Sequence, residues 1–143
     1  MTDTKLKVVA VAEDDPDDRV ILKDAFGQCG WNVELKFFAN GSSLLDFLHQ
    51  RGDHTRTGKR PHMILMDFFL PGTNSFELIE AIKSDSGLRR IPLIVLTGYC
   101  RETDVLDCYD LGANTVIIKP DTFAELLQAV KRSCDYWFGV ARG

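Results

Sequence analysis

No apolar run in this chain of 143 residues approaches the roughly 20 residues that a helix needs to cross a bilayer. A membrane span is therefore not expected. The amino terminus, MTDTKLKVV, lacks the longer apolar stretch and small-residue cleavage site of a secretory signal, which gives a cytoplasmic expectation. Basic residues are also short: 17 Lys and Arg against 21 Asp and Glu leave a net charge of −4. A large phosphate-binding face needs the opposite balance, so direct nucleic-acid binding is excluded. The four cysteines, Cys29, Cys100, Cys108 and Cys134, include no C-x-x-C pair and no metal-like spacing with His49, His54 or His62. Reduced, buried or part-buried thiols are expected, not a disulfide framework or structural zinc. Internal repeats and low-complexity segments are absent too.

What is present suits a water-soluble core. A hydrophobic share of 45% and a charged share of 27% are globular values, and the length is that of one ordinary domain. That domain must carry the function by itself.

The stretch Met63 to Phe76, MILMDFFLPGTNSF, organises the rest. Met63 to Met66 is a short continuous apolar run, as in a strand buried on both faces of a parallel sheet. Asp67 then stands at the carboxyl end of a core strand, where open parallel sheets form their ligand crevice. Pro71-Gly72 reads as a turn, and Asn74 with Glu77 three residues on reads as a helix start. Taken alone, Asp67 could simply cap a turn.

The same pattern recurs along the chain. Lys5 to Ala12 is a strand running into Glu13-Asp14-Asp15-Pro16-Asp17-Asp18. Asp15 as N-cap, Pro16 at the first helical position, and Asp17 and Asp18 facing the helix dipole account for that start. Ile21, Leu22, Ala25 and Phe26 form the first helical stripe, with Gly27 and Gly30 closing it. Asn32 to Phe38 is a second strand, Asn40 a cap, and Leu44, Leu45, Phe47 and Leu48 a second stripe. The polar, basic segment 50–61, with Arg51, Arg56, Lys59 and Arg60 around His54, reads as a solvated loop, with docking of an acidic partner as its other use. Leu78, Ile79 and Ile82 mark a third helix, and Leu93 to Leu96 a fourth strand ending at Thr97. Val105, Leu106 and Tyr109 mark a fourth helix stopped by Gly112. Thr115 to Ile118 is the last strand, ending at Lys119. Thr122 and Glu125 form a capping box for a final helix carrying Phe123, Leu126, Leu127, Val130, Cys134 and Trp137 on one face. Alternating strands and helices predict a doubly wound α/β domain with a parallel sheet; periodicity does not give the strand order.

Four of the five strands end on a chemically useful group: Glu13 with Asp14, Asp67, Thr97 and Lys119. The topology collects such ends in one crevice. Carboxylates gathered there repel, so they raise one another's pKa or need a cation to stay ionised, and Mg²⁺ is the hard divalent ion that suits oxygen ligands. Lys119 adds a fixed positive charge and Thr97 a hydroxyl donor, both suited to a phosphoryl oxygen. An aspartate can itself attack phosphorus, and an ionised nucleophile needs no general base.

These residues carry a resemblance. VAEDDPDDR, ILMDFFLP, IVLTG and LGANTVIIKP resemble, in order and spacing, the four signature stretches of response regulator receiver domains over residues 5–138. The resemblance implies a (βα)5 flavodoxin-like sheet of strand order 2-1-3-4-5, between tails 1–4 and 139–143. It implies that Asp67 accepts a phosphoryl group from a histidine kinase. Asp14, Asp67 and the backbone carbonyl of Phe69 would hold Mg²⁺, Glu13 would act through water, and Thr97 and Lys119 would contact phosphoryl oxygens. The protein would be a phosphoacceptor that catalyses its own aspartyl phosphorylation and dephosphorylation, not a turnover enzyme. The family's switch pairs Thr97 with an aromatic residue at the position held here by Val116, so an aromatic readout is not expected. Asn74-Ser75 replaces a common Asp-Gly, and Phe69 and Tyr99 replace smaller or polar groups, with shielding of the phosphoryl group from water or plain packing as their two readings.

Few residues follow the last helix, so the expectation is a stand-alone regulator that acts by altered protein–protein binding or passes the group to a phosphotransfer protein. Tyr136, Trp137 and Phe138 resemble the aromatic ends of small regulators that serve phytochrome-type kinases and dimerise; the other reading folds these rings back onto their own helix. Three rival readings fit the site less well. A receiver-fold binding module independent of phosphorylation is disfavoured by the complete set of acids, Thr97 and Lys119. An aspartyl phosphatase wants a second Asp where Phe69 stands, and a flavin phosphate would be repelled by residues 13–18.

Overall fold

The computed structural model describes residues 5–49 and 60–141. Five strands, β1 (Lys7–Ala12), β2 (Val33–Phe38), β3 (Met63–Met66), β4 (Leu93–Thr97) and β5 (Thr115–Ile118), alternate with five α-helices. These are α1 (Pro16–Gly27), α2 (Gly41–Leu48), α3 (Ser75–Lys83), α4 (Glu102–Asp110) and α5 (Phe123–Cys134). The strands form one parallel sheet in the order β2-β1-β3-β4-β5. Every residue of β3 and β4 is buried, as continuous apolar runs require in a sheet covered on both faces.

Alternation along the strands divides the core in two. Ala10, Ile64, Met66, Leu93 and Val95 face α2, α3 and α4, packing with Leu44, Ile79, Ile82 and Cys108. Val9, Val11, Met63, Leu65, Ile94 and Leu96 face α1 and α5, packing with Leu22, Phe26, Leu126, Val130 and Cys134. Cys29, Cys108 and Cys134 are buried, Cys100 is part-buried, and all four are free.

The expected caps form. Asp15 accepts from the Asp17 and Asp18 amides, Asn40 from Ser43, Asn74 from Glu77 and Thr122 from Glu125. Gly72 (φ 63°) and Gly112 (φ 110°) take left-handed backbone, which the turn after Pro71 and the end of α4 demand and which only glycine adopts without strain.

Three details of the helical stripes differ from expectation. Ile21 is exposed, because α1 covers the sheet edge with one narrow face through Leu22, Ala25 and Phe26. In α4 the buried positions are Asp104 and Cys108, while Leu106 and Tyr109 face solvent. The hydrophobic stripe read from the sequence therefore lies on the outer side of that helix. The last helix ends at Cys134 and continues as a π-helical segment, Asp135–Val140. Arg51, Arg56, Lys59 and His54 lie outside the described residues; Arg60, beside them, donates to the Leu48 carbonyl.

The terminal aromatics fold back. Asp135 accepts from the Trp31 indole at 2.7 Å; Phe138 meets Trp31 edge-on at 5.5 Å and His62 at 6.4 Å. Tyr136 stays 51% exposed. Phe138 is half-buried, so Phe138→Ala is expected to lower unfolding stability by about 1–2 kcal/mol. Urea denaturation with an unchanged slope would measure it.

Candidate functional site

Each strand end delivers its group through a local device. The Glu13 amide donates to the Phe38 carbonyl at 2.9 Å and the Asp67 amide to the Ala12 carbonyl at 3.0 Å, which extends the ladder far enough to hold both carboxylates beside the crevice. Glu13 is almost fully buried. Its carboxylate accepts from the Asp15 amide at 3.2 Å, and Arg19 Nε donates to its carbonyl at 2.6 Å while stacking on Phe37. Asp67 Oδ1 accepts from the Phe69 amide at 3.0 Å. The buried Thr97 hydroxyl donates to the Tyr99 carbonyl at 3.1 Å. The Lys119 amide donates to the Thr97 carbonyl at 2.7 Å.

The charges converge on Lys119. Its ammonium lies 3.0 Å from Asp18 Oδ2, 3.4 Å from Glu13 Oε1 and 3.8 Å from Asp67 Oδ2. Carboxylate oxygens of Glu13, Asp18 and Asp67 lie within 4.8 Å of one another. Burial pushes the Glu13 carboxyl above its ordinary pKa; the Asp15 amide opposes this, and the charge of Asp67 adds to it. Burial pulls the Lys119 ammonium down, but the hydrogen bond to Asp18 and the charges of Glu13 and Asp67 outweigh it, leaving its pKa raised. The site thus lacks positive charge to balance its carboxylates. Clustered carboxylate oxygens with that deficit mark a crevice that suits a hard divalent cation.

Not every named residue enters the cluster. Asp14 is exposed and lines an adjoining open cleft with Phe68, Phe69 and Phe76. Phe69 and Tyr99 are 58% and 68% exposed, so neither ring is spent on core packing, although Phe69 meets Phe68 edge-on at 5.0 Å. Val116 is half-buried, and its amide donates to the Tyr109 hydroxyl at 3.0 Å. An aromatic group is thus tied to this position from α4 and not carried on β5.

Sequence reasoning missed Asp18, which it assigned only to the helix dipole. A side chain in the first turn leans toward the helix N-terminus, and α1 starts at the crevice, so that lean carries Asp18 over the end of β1. It also missed Ser75, which is buried and donates to the Phe68 carbonyl, tying the start of α3 to the loop that carries Asp67.

A 2-1-3-4-5 parallel sheet with an aspartate, a buried glutamate, a threonine and a lysine at its carboxyl edge defines a doubly wound domain built to receive phosphoryl groups at a carboxylate. The model of the response regulator receiver domain matches residues 9–131, and the chain belongs to that family. The response regulator Rcp1 of Synechocystis sp. is 30% identical over 131 residues, which are 92% of this chain and 88% of Rcp1. A crystal structure of the phosphorylated cyanobacterial phytochrome response regulator RcpA superposes with a TM-score of 0.87 at 30% identity, covering 96% of this chain and 98% of that one. The Mn²⁺-bound form of Rcp1 superposes with a TM-score of 0.83 at 29% identity, covering 95% and 97%. The protein is therefore a phosphorelay response regulator, a phosphoacceptor served by a histidine kinase, whose acidic pocket suits a divalent cation. No helix among the described residues is long and apolar enough to cross a membrane.

Proposed function

We propose that Asp67 is the phosphoacceptor and that residues 5–138 act as a cytoplasmic receiver unit. The observation that carries this reading is the convergence of Glu13 and Asp67 on the Lys119 ammonium, at 3.4 and 3.8 Å. An Asp67 carboxylate oxygen attacks phosphorus, the P–N bond of the donor phosphohistidine breaks, and imidazole leaves with the electron pair. Lys119 and the Thr97 hydroxyl neutralise and position the phosphoryl oxygens. Asp14, Asp67 and the Phe69 carbonyl would hold Mg²⁺, with Glu13 acting through water; the ion would supply neutralisation of the negative charge gathered there. Thr97, turning from the Tyr99 carbonyl to the phosphoryl group, starts the switch, with Val116 of β5 paired to Val95, two residues before Thr97 on β4, as its second position. Reversal by water makes the protein its own phosphatase.

The matches to phytochrome response regulators support a phytochrome-type kinase as donor, and the exposed Tyr136 beside the folded-back rings supports a contact surface for a homodimer or a downstream protein. Intact mass after incubation with a small phosphodonor and Mg²⁺ tests the central claim.

Phe69 bears on the lifetime of the phosphorylated form. Its exposed ring stands two residues from Asp67 and screens the acyl phosphate from water. Phe69→Asn is expected to speed loss of the phosphoryl group about threefold or more, since about 0.7 kcal/mol of barrier already gives that factor. Decay measured by mass after donor removal checks it, and an unchanged rate would count against screening.

A further inference from the structure

Asp18 lies closer to Lys119 than either carboxylate at the strand ends. The ammonium hydrogen-bonds Asp18 at 3.0 Å and Glu13 at 3.4 Å, whereas Asp67, the group it must serve, stands at 3.8 Å. The three acids also differ in hydration: the Asp18 side chain is 37% exposed, against 3% for Glu13 and 14% for Asp67. The Asp18 backbone is fixed, because its amide donates to Asp15 Oδ1 at 3.1 Å and the neighbouring Arg19 pins the turn to the Glu13 carbonyl. A hydrated carboxylate on a rigid turn can give up an ammonium to solvent at little cost; the buried Glu13 cannot.

We infer that Asp18 is a positioning residue for Lys119: in the unphosphorylated protein it holds the ammonium toward the rim of the crevice, and it yields that ammonium to the phosphoryl oxygens once Asp67 is modified. An ammonium has three protons and no fixed plane, so it can pivot between acceptors. A phosphoryl group on Asp67 brings more negative charge than one carboxylate and wins the exchange. The hydrogen bond to Asp18 therefore sets how much of the lysine's charge an incoming donor meets. This inference rests on Asp67 being the phosphoacceptor.

The test uses the full chain with phosphoramidate as donor: Asp67 attacks phosphorus, the P–N bond breaks, and ammonia departs with the pair. Asp18→Asn, which keeps size and removes charge, is expected to lower the donor concentration for half-maximal rate three- to tenfold, with the maximal rate within twofold. Asp18→Glu should behave as wild type, because its longer arm still reaches the ammonium. The Lys119 Cε resonance provides a readout that general damage would not produce. In Asp18→Asn without donor it should already be displaced toward its position in wild type bound to beryllium fluoride and Mg²⁺. A half-maximal concentration and a Lys119 resonance both unchanged would overturn the inference. So would a tenfold or greater loss of Mg²⁺ affinity, which would make Asp18 a metal ligand. If wild type itself takes up no phosphoryl group, the phosphoacceptor reading falls as well; if wild type is labelled and Asp18→Asn matches it, only the role of Asp18 falls.

Discussion

Asp67→Asn is expected to take up no phosphoryl group from a small donor with Mg²⁺, while wild type gains one phosphoryl mass under the same conditions. The amide oxygen is a far weaker nucleophile than an ionised carboxylate, and the other acids cannot take its place. Glu13 is almost fully buried with its carboxylate held by the Asp15 amide, and Asp18 is committed to Lys119 at 3.0 Å. The expected loss is complete at the sensitivity of intact-mass detection, which makes this the largest effect proposed. Unfolding does not compete as an explanation. The variant removes one negative charge from a cluster whose carboxylate oxygens crowd within 4.8 Å, so its melting temperature in metal-free buffer should equal or exceed that of wild type. Phosphoryl uptake persisting in a folded Asp67→Asn protein would move the acceptor to another side chain.

How far the molecule was legible in its sequence depends on what each residue's signal was made of. The strands and four side-chain N-caps were legible because each rests on local chemistry: Asp15, Asn40, Asn74 and Thr122 can satisfy their amides within one turn. The strand order came only from the resemblance, since pairing across a sheet leaves no mark on periodicity. The face of α4 was misread for a physical reason. Val105, Leu106 and Tyr109 look like a core stripe, but the helix buries Cys108 and Asp104 instead. Asp104 is tolerated near the core because Arg101 Nε pairs with it at 3.2 Å. Hydrophobic pattern alone therefore picked the wrong side of that helix. In the site, Glu13, Asp67, Thr97 and Lys119 were found from strand ends, whereas Asp18 was hidden by a sufficient local explanation. A helix-dipole role and a contact with Lys119 are not exclusive, and only three-dimensional placement separates them.

Mg²⁺ should stabilise this protein before any phosphoryl group is present. Binding to the folded state alone adds RT ln(1 + [Mg²⁺]/Kd), about 2.7 kcal/mol at a hundredfold excess over Kd. For a domain of this length that corresponds to a rise in melting temperature of roughly 5–10 °C. The physical source is the charge deficit: one Lys119 ammonium stands among Glu13, Asp18 and Asp67, and a divalent ion held at Asp67 would offset the negative charge left over. A calorimetric titration should therefore show saturable stabilisation by Mg²⁺ that EDTA reverses and that NaCl at matched ionic strength does not reproduce, since screening acts weakly inside a partly buried crevice. In Asp67→Asn the same titration should lose most of the shift, because the ion loses the carboxylate on the central strand. A melting temperature indifferent to Mg²⁺ in wild type would mean that these carboxylates settle their repulsion by protonation, and the metal would then have no place in the site.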